Sequence, residues 1–207
     1  MKWGQLMNNK DYLKKLSLIF VGIVIVFSIN TILNFNKGYN SNTINYPLDP
    51  FSAELLLITS AGQSTDAYIF HDIINKLQLN NHFMPEANTY DLREYSSVVI
   101  VVGHSEVGMM LNDVLYQAEV KRIRKILQTA EAEQLPVIAA YLGGDERLSN
   151  ETQSLLKSVC DEADYIIMTS DTDKGPLIKR LTNDGQTPIT CVPTIDQLSM
   201  TLASIFK

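Results

Sequence analysis

Val98-Val-Ile-Val-Val-Gly103 is the stretch whose reading decides the fold. Five β-branched residues follow one another with no polar alternation, and a glycine ends the run. A strand with one wet face alternates apolar and polar residues. One that is apolar at every position is covered on both faces, which is the mark of a parallel sheet. Working outward, Glu54–Ser60, Pro136–Leu142, Tyr165–Ser170 and Ile189–Val192 are further short apolar runs, and His82–Met84 is a weaker one. Helical patterns lie between them. Val120, Ile123, Leu127 and Ala130 recur at three- and four-residue spacing, with Lys121, Arg122, Arg124 and Lys125 on the other sides.

Helix starts are expected at Ser64, Asn112 and Ser149, and Thr194 with Gln197 reads as a capping box for the last helix. Strand–helix alternation with short connections predicts a doubly wound α/β three-layer sandwich, Rossmann- or flavodoxin-like, with a mostly parallel sheet of five to six strands.

The beginning of the chain is different. Leu16 to Leu33 is almost wholly apolar, and no charge falls between Lys15 and Lys37. About 20 apolar residues cross a bilayer, so 16–35 is expected to be a transmembrane anchor. Lys2, Lys10, Lys14 and Lys15 precede it, which places 1–15 in the cytoplasm and everything after the anchor outside the cell membrane. A cleaved signal peptide is the rival, but the exit lacks an Ala-x-Ala site. Asn-rich residues 36–52 read as a tether and 53–207 as the α/β domain.

The chain of 207 residues carries 17 Lys+Arg and 23 Asp+Glu. Up to Lys37 there are five Lys and one acid, +4; the remainder holds 12 basic and 22 acidic residues, −10. So acidic a domain excludes the clustered positive charge that nucleic acid requires. The expected partners are the bilayer, an unidentified small ligand and a membrane protein.

In a doubly wound sheet, ligands bind outside the carboxyl ends of the strands. That rule selects the polar loops Thr59–Asp66, Gly103–Gly108, Gly143–Arg147 and Ser170–Gly175. The ligand-binding candidates are Thr59, Ser60, Gly62, Gln63, Ser64, His104, Ser105, Gly143, Gly144 and Asp145. The first loop, with its hydroxyls and helix-start amides, suits an anionic group; ordinary capping by Ser64 is the plainer reading.

Neither a G-x-G-x-x-G nor a G-x-x-x-x-G-K-[ST] loop is present, which argues against dinucleotides and P-loop hydrolysis. Gly103-His104-Ser105 resembles a nucleophile elbow, but the second glycine comes one residue late, at Gly108. No histidine follows Ser105 to act as its base. Serine hydrolysis is thereby rejected, and no catalytic residue is assigned. Asp171 and Asp173, with Asp145 and Glu146, admit a metal-dependent hydrolase as the alternative, although an acidic turn is simpler.

His71, His82 and His104 lack metal-site spacing, so no metal or cofactor is expected. Cys160 and Cys191 read as two buried free thiols, and Lys121–Lys125 as a solvated face. Val107–Leu111 admits a lid, a partner patch or core packing, with packing favoured; the partner patch would make the chain an interaction module of an envelope complex.

Leu57-Ile-Thr-Ser-Ala-Gly-Gln-Ser64, Pro136-Val-Ile-Ala-Ala-Tyr-Leu-Gly-Gly144 and Ala163-Asp-Tyr-Ile-Ile together resemble the bacterial domain-of-unknown-function family 6305. The resemblance runs from about Glu54 to the C-terminus. It implies an exported or membrane-anchored α/β domain with no assigned activity. Thr59–Ser64 matches the family's first loop, and Gly143–Arg147 matches its Gly-Gly-x-x-Arg. Where the family pattern has Ser-x-Lys-Gly, this chain has Ser105-Glu106-Val107-Gly108, so the resemblance does not carry an anion-binding role to that loop.

Overall fold

The computed structural model describes residues 55–144, 147–169 and 187–206. The anchor and tether expected over 16–52, the candidate Asp145 with its neighbour Glu146, and the acidic turn at Asp171–Gly175 therefore lie outside the described residues. Among the described residues no helix is long and apolar enough to cross a membrane.

Strand β1 (Leu56–Ala61) leads to helix α1 (Asp66–Lys76) and strand β2 (Asn81–Phe83). A 3-10 turn over Thr89–Glu94 precedes β3 (Ser97–Val102), α2 (Glu106–Leu111) and α3 (Tyr116–Glu133). Then come β4 (Val137–Tyr141), α4 (Asn150–Cys160), β5 (Tyr165–Thr169), β6 (Ile189–Val192) and α5 (Ile195–Ile205). The six strands form one sheet in the order β2-β1-β3-β4-β5-β6, every pair parallel.

The continuous apolarity of β3 has the cause expected of it. Val98, Ile100 and Val102 enter one core and Val99 and Val101 the other, all fully buried. Leu57 and Ala61 of β1 join the first core, under α3 and α4, while Leu56 and Ile58 join the second, under α1 and α5. From β1 the chain moves to β2 with its helix on one face. From β3 it moves the opposite way, to β4 and β5, with α3 and α4 on the other face. Right-handed crossovers require this change of face when the direction reverses. The reversal lies between β1 and β3, the switch point at which a ligand crevice is expected. Among the described residues both cores and all six strands fall within 56–206.

Several local expectations are corrected. Asn112 does not start the long helix; it closes α2, and α3 begins at Tyr116 after Leu115. Thr194 makes no side-chain cap, so its capping box with Gln197 is absent. Ser149 does cap α4, accepting from the Thr152 amide at 3.1 Å. The weak strand is real, as Asn81–Phe83 on the edge beside β1. Cys160 and Cys191 are free thiols, Cys160 buried and Cys191 half-buried.

Candidate functional site

The loops after β1 and β3 are stitched together across the switch point. The Gly103 amide donates to Ala61 at 2.9 Å, the Ser105 amide donates to Gly62 at 2.8 Å, and Gln63 pairs with His104 in an antiparallel bridge. Gly62 is required twice over. Its φ of +99° is open to glycine, and a Cβ there would lie 2.6 Å from the Gly103 carbonyl oxygen. Helix α2 closes over the pair, with Gly108 so near that a Cβ would sit 2.0 Å from the Gln63 oxygen.

Glu119 and Arg122, both on α3, hold this crossing from below. The Glu119 carboxylate is 1 % exposed. Its Oε1 accepts from the Gly62 amide at 2.8 Å and from the Gln63 side chain at 3.1 Å. The Arg122 guanidinium donates to both of its oxygens, each at 2.8 Å. Arg122 also donates to the Ala87 carbonyl at 2.7 Å, to the Thr59 hydroxyl at 3.3 Å and to the Ser60 carbonyl. Burial pushes the Glu119 carboxyl up, but the Arg122 bonds and charge, with the Gly62 and Gln63 donors, outweigh it and hold it below its ordinary value. The protein's own carboxylate thus takes the loop amide that a bound anion would use.

Neither residue was singled out as functional by the sequence, where Arg122 read as part of a solvated face. The available signal was angular. Glu119 lies four residues before Ile123 and seven before Ile126, both buried, and so falls on the core face of α3.

A second polar group spans the ends of β3 and β4. Asp66, at the start of α1, has a carboxylate 2 % exposed and pairs with Arg147 at 2.5 Å; the Arg147 side chain is 51 % exposed. Arg147 also donates to the Gly143 carbonyl at 3.4 Å. Gly103 leaves room beneath, since a Cβ there would lie 2.5 Å from the Ser64 oxygen and 3.3 Å from Asp66 Oδ2. Buried Tyr141 donates its hydroxyl to Gly144, and its ring occupies the space a Cβ on Gly143 would need. Burial raises the Tyr141 phenol to about 12, with Arg147 opposing and Asp66 adding, so it stays a donor at neutral pH.

The expected site residues divide accordingly. Gly62 and Gln63 meet His104 and Ser105 at the switch point, whereas Thr59 and Ser60 lie within β1 beside Ile100 and Val101; the Ser64 hydroxyl accepts from the Asp66 amide at 3.3 Å, and Gly143 and Gly144 accept from Arg147 and Tyr141. Ser105 caps α2 through the Gly108 amide at 3.0 Å. The His104 amide donates to the Thr152 hydroxyl at 3.1 Å, and its ring meets Tyr116 edge-on at 5.5 Å. The Ser60 hydroxyl is fully buried and has no hydrogen-bond partner among the described residues.

Packing explains Met109 and Gly108 in the Val107–Leu111 stretch. Val107, Met110, Leu111 and the following Leu115 are between 61 % and 79 % exposed. A groove of about 380 Å³ opens away from the strand ends, between α3 and α4. Among the described residues no group of three His, Cys, Asp or Glu is placed to hold a metal ion.

Residues 53–206 match the model of the family described as Domain of unknown function (DUF6305), and the chain belongs to that family. No curated protein and no solved structure matches the chain.

Proposed function

We propose that the chain is a bilayer-anchored, extracytoplasmic α/β domain that binds a small anionic ligand at the carboxyl ends of β1, β3 and β4. The observation that carries the ligand reading is Arg147. Its guanidinium is half exposed and aimed by a buried carboxylate, while the Gly143 carbonyl takes a second donor. The fork has five N–H groups, and Asp66 and Gly143 use Nη2 and Nε. Among the described residues Nη1 has no partner, which leaves it for an incoming oxyanion without loss of the Asp66 pair. The anchor rests on the apolar run 16–35 and the lysines before it.

The test is thermal unfolding of residues 47–207 with inorganic phosphate, sulfate and a series of di- and tricarboxylates. At least one anion is expected to raise the midpoint, and Arg147→Ala is expected to remove that rise. A ligand at 100 times its Kd adds about 2.7 kcal/mol, a shift easily read. No shift with any anion overturns the ligand reading, and one that survives Arg147→Ala overturns its placement at Arg147. Protease added to intact cells tests the location separately; an untouched domain overturns it.

The exposed Val107, Met110, Leu111 and Leu115 favour a second reading, an interaction module of an envelope complex. Leu111→Glu with Met110→Glu is expected to release a cross-linked membrane partner while leaving the anion-dependent shift in place. Retention of that partner counts against it.

A further inference from the structure

The solvent flank of the α3/α4 layer has a charge order that the isolated domain does not use. Lys121, Arg124 and Lys125 stand exposed in the first two-thirds of α3, and none has an ion-pair partner among the described residues. At the other end of the same flank are Glu131, in the last turn of α3, and Asp161 and Glu162, just past α4. Acidic groups at helix C-termini face the negative end of the helix dipole, so this placement works against each helix taken alone. Lys157 pairs with Asp161, at 2.9 Å. Between the two charge clusters runs the groove of about 380 Å³, floored by Val120, Leu127 and Leu155 and edged by the short Ser154 and Ser158.

A surface basic at one end and acidic at the other is complementary to itself turned through half a circle. We infer that this flank is a twofold docking surface for a second copy of the chain, with the α3 helices antiparallel. Arg124 and Glu131 fix the register. They are seven residues apart (131 − 124 = 7), share one side of α3 and both line the groove, so an axis midway between them, beside Leu127 and Gln128, sets each opposite the other. Arg124 and Lys121 of each copy then face the acidic end of its mate, toward Asp161 and Glu162. A twofold contact is isologous, so every such pair forms twice. The paired flanks cover the apolar floor of the groove, and the serines let the helices approach.

The experiment measures the mass of the full chain in mild detergent by light scattering, across roughly 1–300 μM, a span suited to a polar interface. A concentration-dependent dimer is expected. The triple variant Lys121→Glu, Arg124→Glu, Lys125→Glu should weaken it at least tenfold, and so should the double variant Glu131→Lys, Glu162→Lys. Mixed, these two repelling variants should pair with each other, one flank now mainly acidic and the other mainly basic. A monomer at every concentration overturns the inference. So does a dimer indifferent to both reversals, which places the contact on another face. Circular dichroism of each variant confirms folding, and capture of one variant by the other shows both competent.

Discussion

Replacing Glu119 is the sharpest test of how the switch point is held. The carboxylate is almost wholly inaccessible and accepts four hydrogen bonds, two from Arg122, one from the Gly62 amide and one from Gln63. Glu119→Ala strands the Arg122 charge and leaves the Gly62 amide without its acceptor. Removing one partner of a buried ion pair costs about 3–5 kcal/mol. Arg122 is 17 % exposed, so the lower half of that range, about 3–4 kcal/mol, is expected. For a domain of this size 1 kcal/mol moves Tm by about 2–4 °C, giving a fall of roughly 6–16 °C. Glu119→Gln keeps the shape and one acceptor oxygen and is expected to lose about half as much, because charge-assisted bonds become neutral ones.

The pH dependence separates this mechanism from plain loss of packing. The carboxyl is held below its ordinary value of 4.5 in the folded state. Its contribution is therefore fully present above that value and is lost as pH falls through the lower, folded one. Urea unfolding of wild type and Glu119→Gln should show a constant difference from neutrality down to about pH 4.5, narrowing only below it. A difference under about 1 kcal/mol for Glu119→Ala, or a gap that does not narrow in acid, refutes the reasoning.

Gly62→Ala combines a left-handed backbone with a 2.6 Å clash against the Gly103 carbonyl, and should cost more than about 2 kcal/mol by urea unfolding; near-neutrality would mean that the two loops do not touch. Ile100→Ala, at the centre of β3, should cost about 2–5 kcal/mol in the same assay, and a loss under 1 kcal/mol would place it outside the core. Burial raises the Cys160 thiol to about 12 and the Cys191 thiol to about 11. Both should resist a thiol reagent at pH 8 in the native protein and react at once in denaturant; prompt native labelling would contradict that.

The strands were legible because parallel pairing buries both faces, and that leaves an unbroken apolar run such as Val98–Val102 in the sequence. Helix α2 was not. Ser105-Glu-Val-Gly108 reads as a loop because glycine costs a helix about 1 kcal/mol against alanine. Here the glycine answers a demand from elsewhere in the chain, the Gln63 carbonyl pressed against it. Asn112 shows the same limit: a good starting residue in isolation, it sits where α2 must stop. The loops of the site could be found from the strand ends alone, since topology places those ends on one edge. Their internal bonds could not. A glutamate and an arginine on a charged helix look solvated until the register of α3 turns Glu119 inward.

That inward turn bears on where an anion can bind. To seat itself on the Gly62 amide, a ligand would have to displace a carboxylate already holding charge-assisted bonds worth about 1.5–3 kcal/mol each. Even two such bonds rival much of the roughly 8 kcal/mol that a micromolar ligand commands in total. Arg147 presents no such obstacle. Its carboxylate partner is buried behind it, one terminal nitrogen is uncommitted among the described residues, and solvent reaches the guanidinium. In this arrangement Glu119 acts as a permanent internal anion that shapes the first loop, and Arg147 is the cation offered to solvent. The proposed anion site accordingly lies on the β4 side of the crevice. Anion binding that persisted in Arg147→Ala yet vanished in Gln63→Ala would return the site to the first loop.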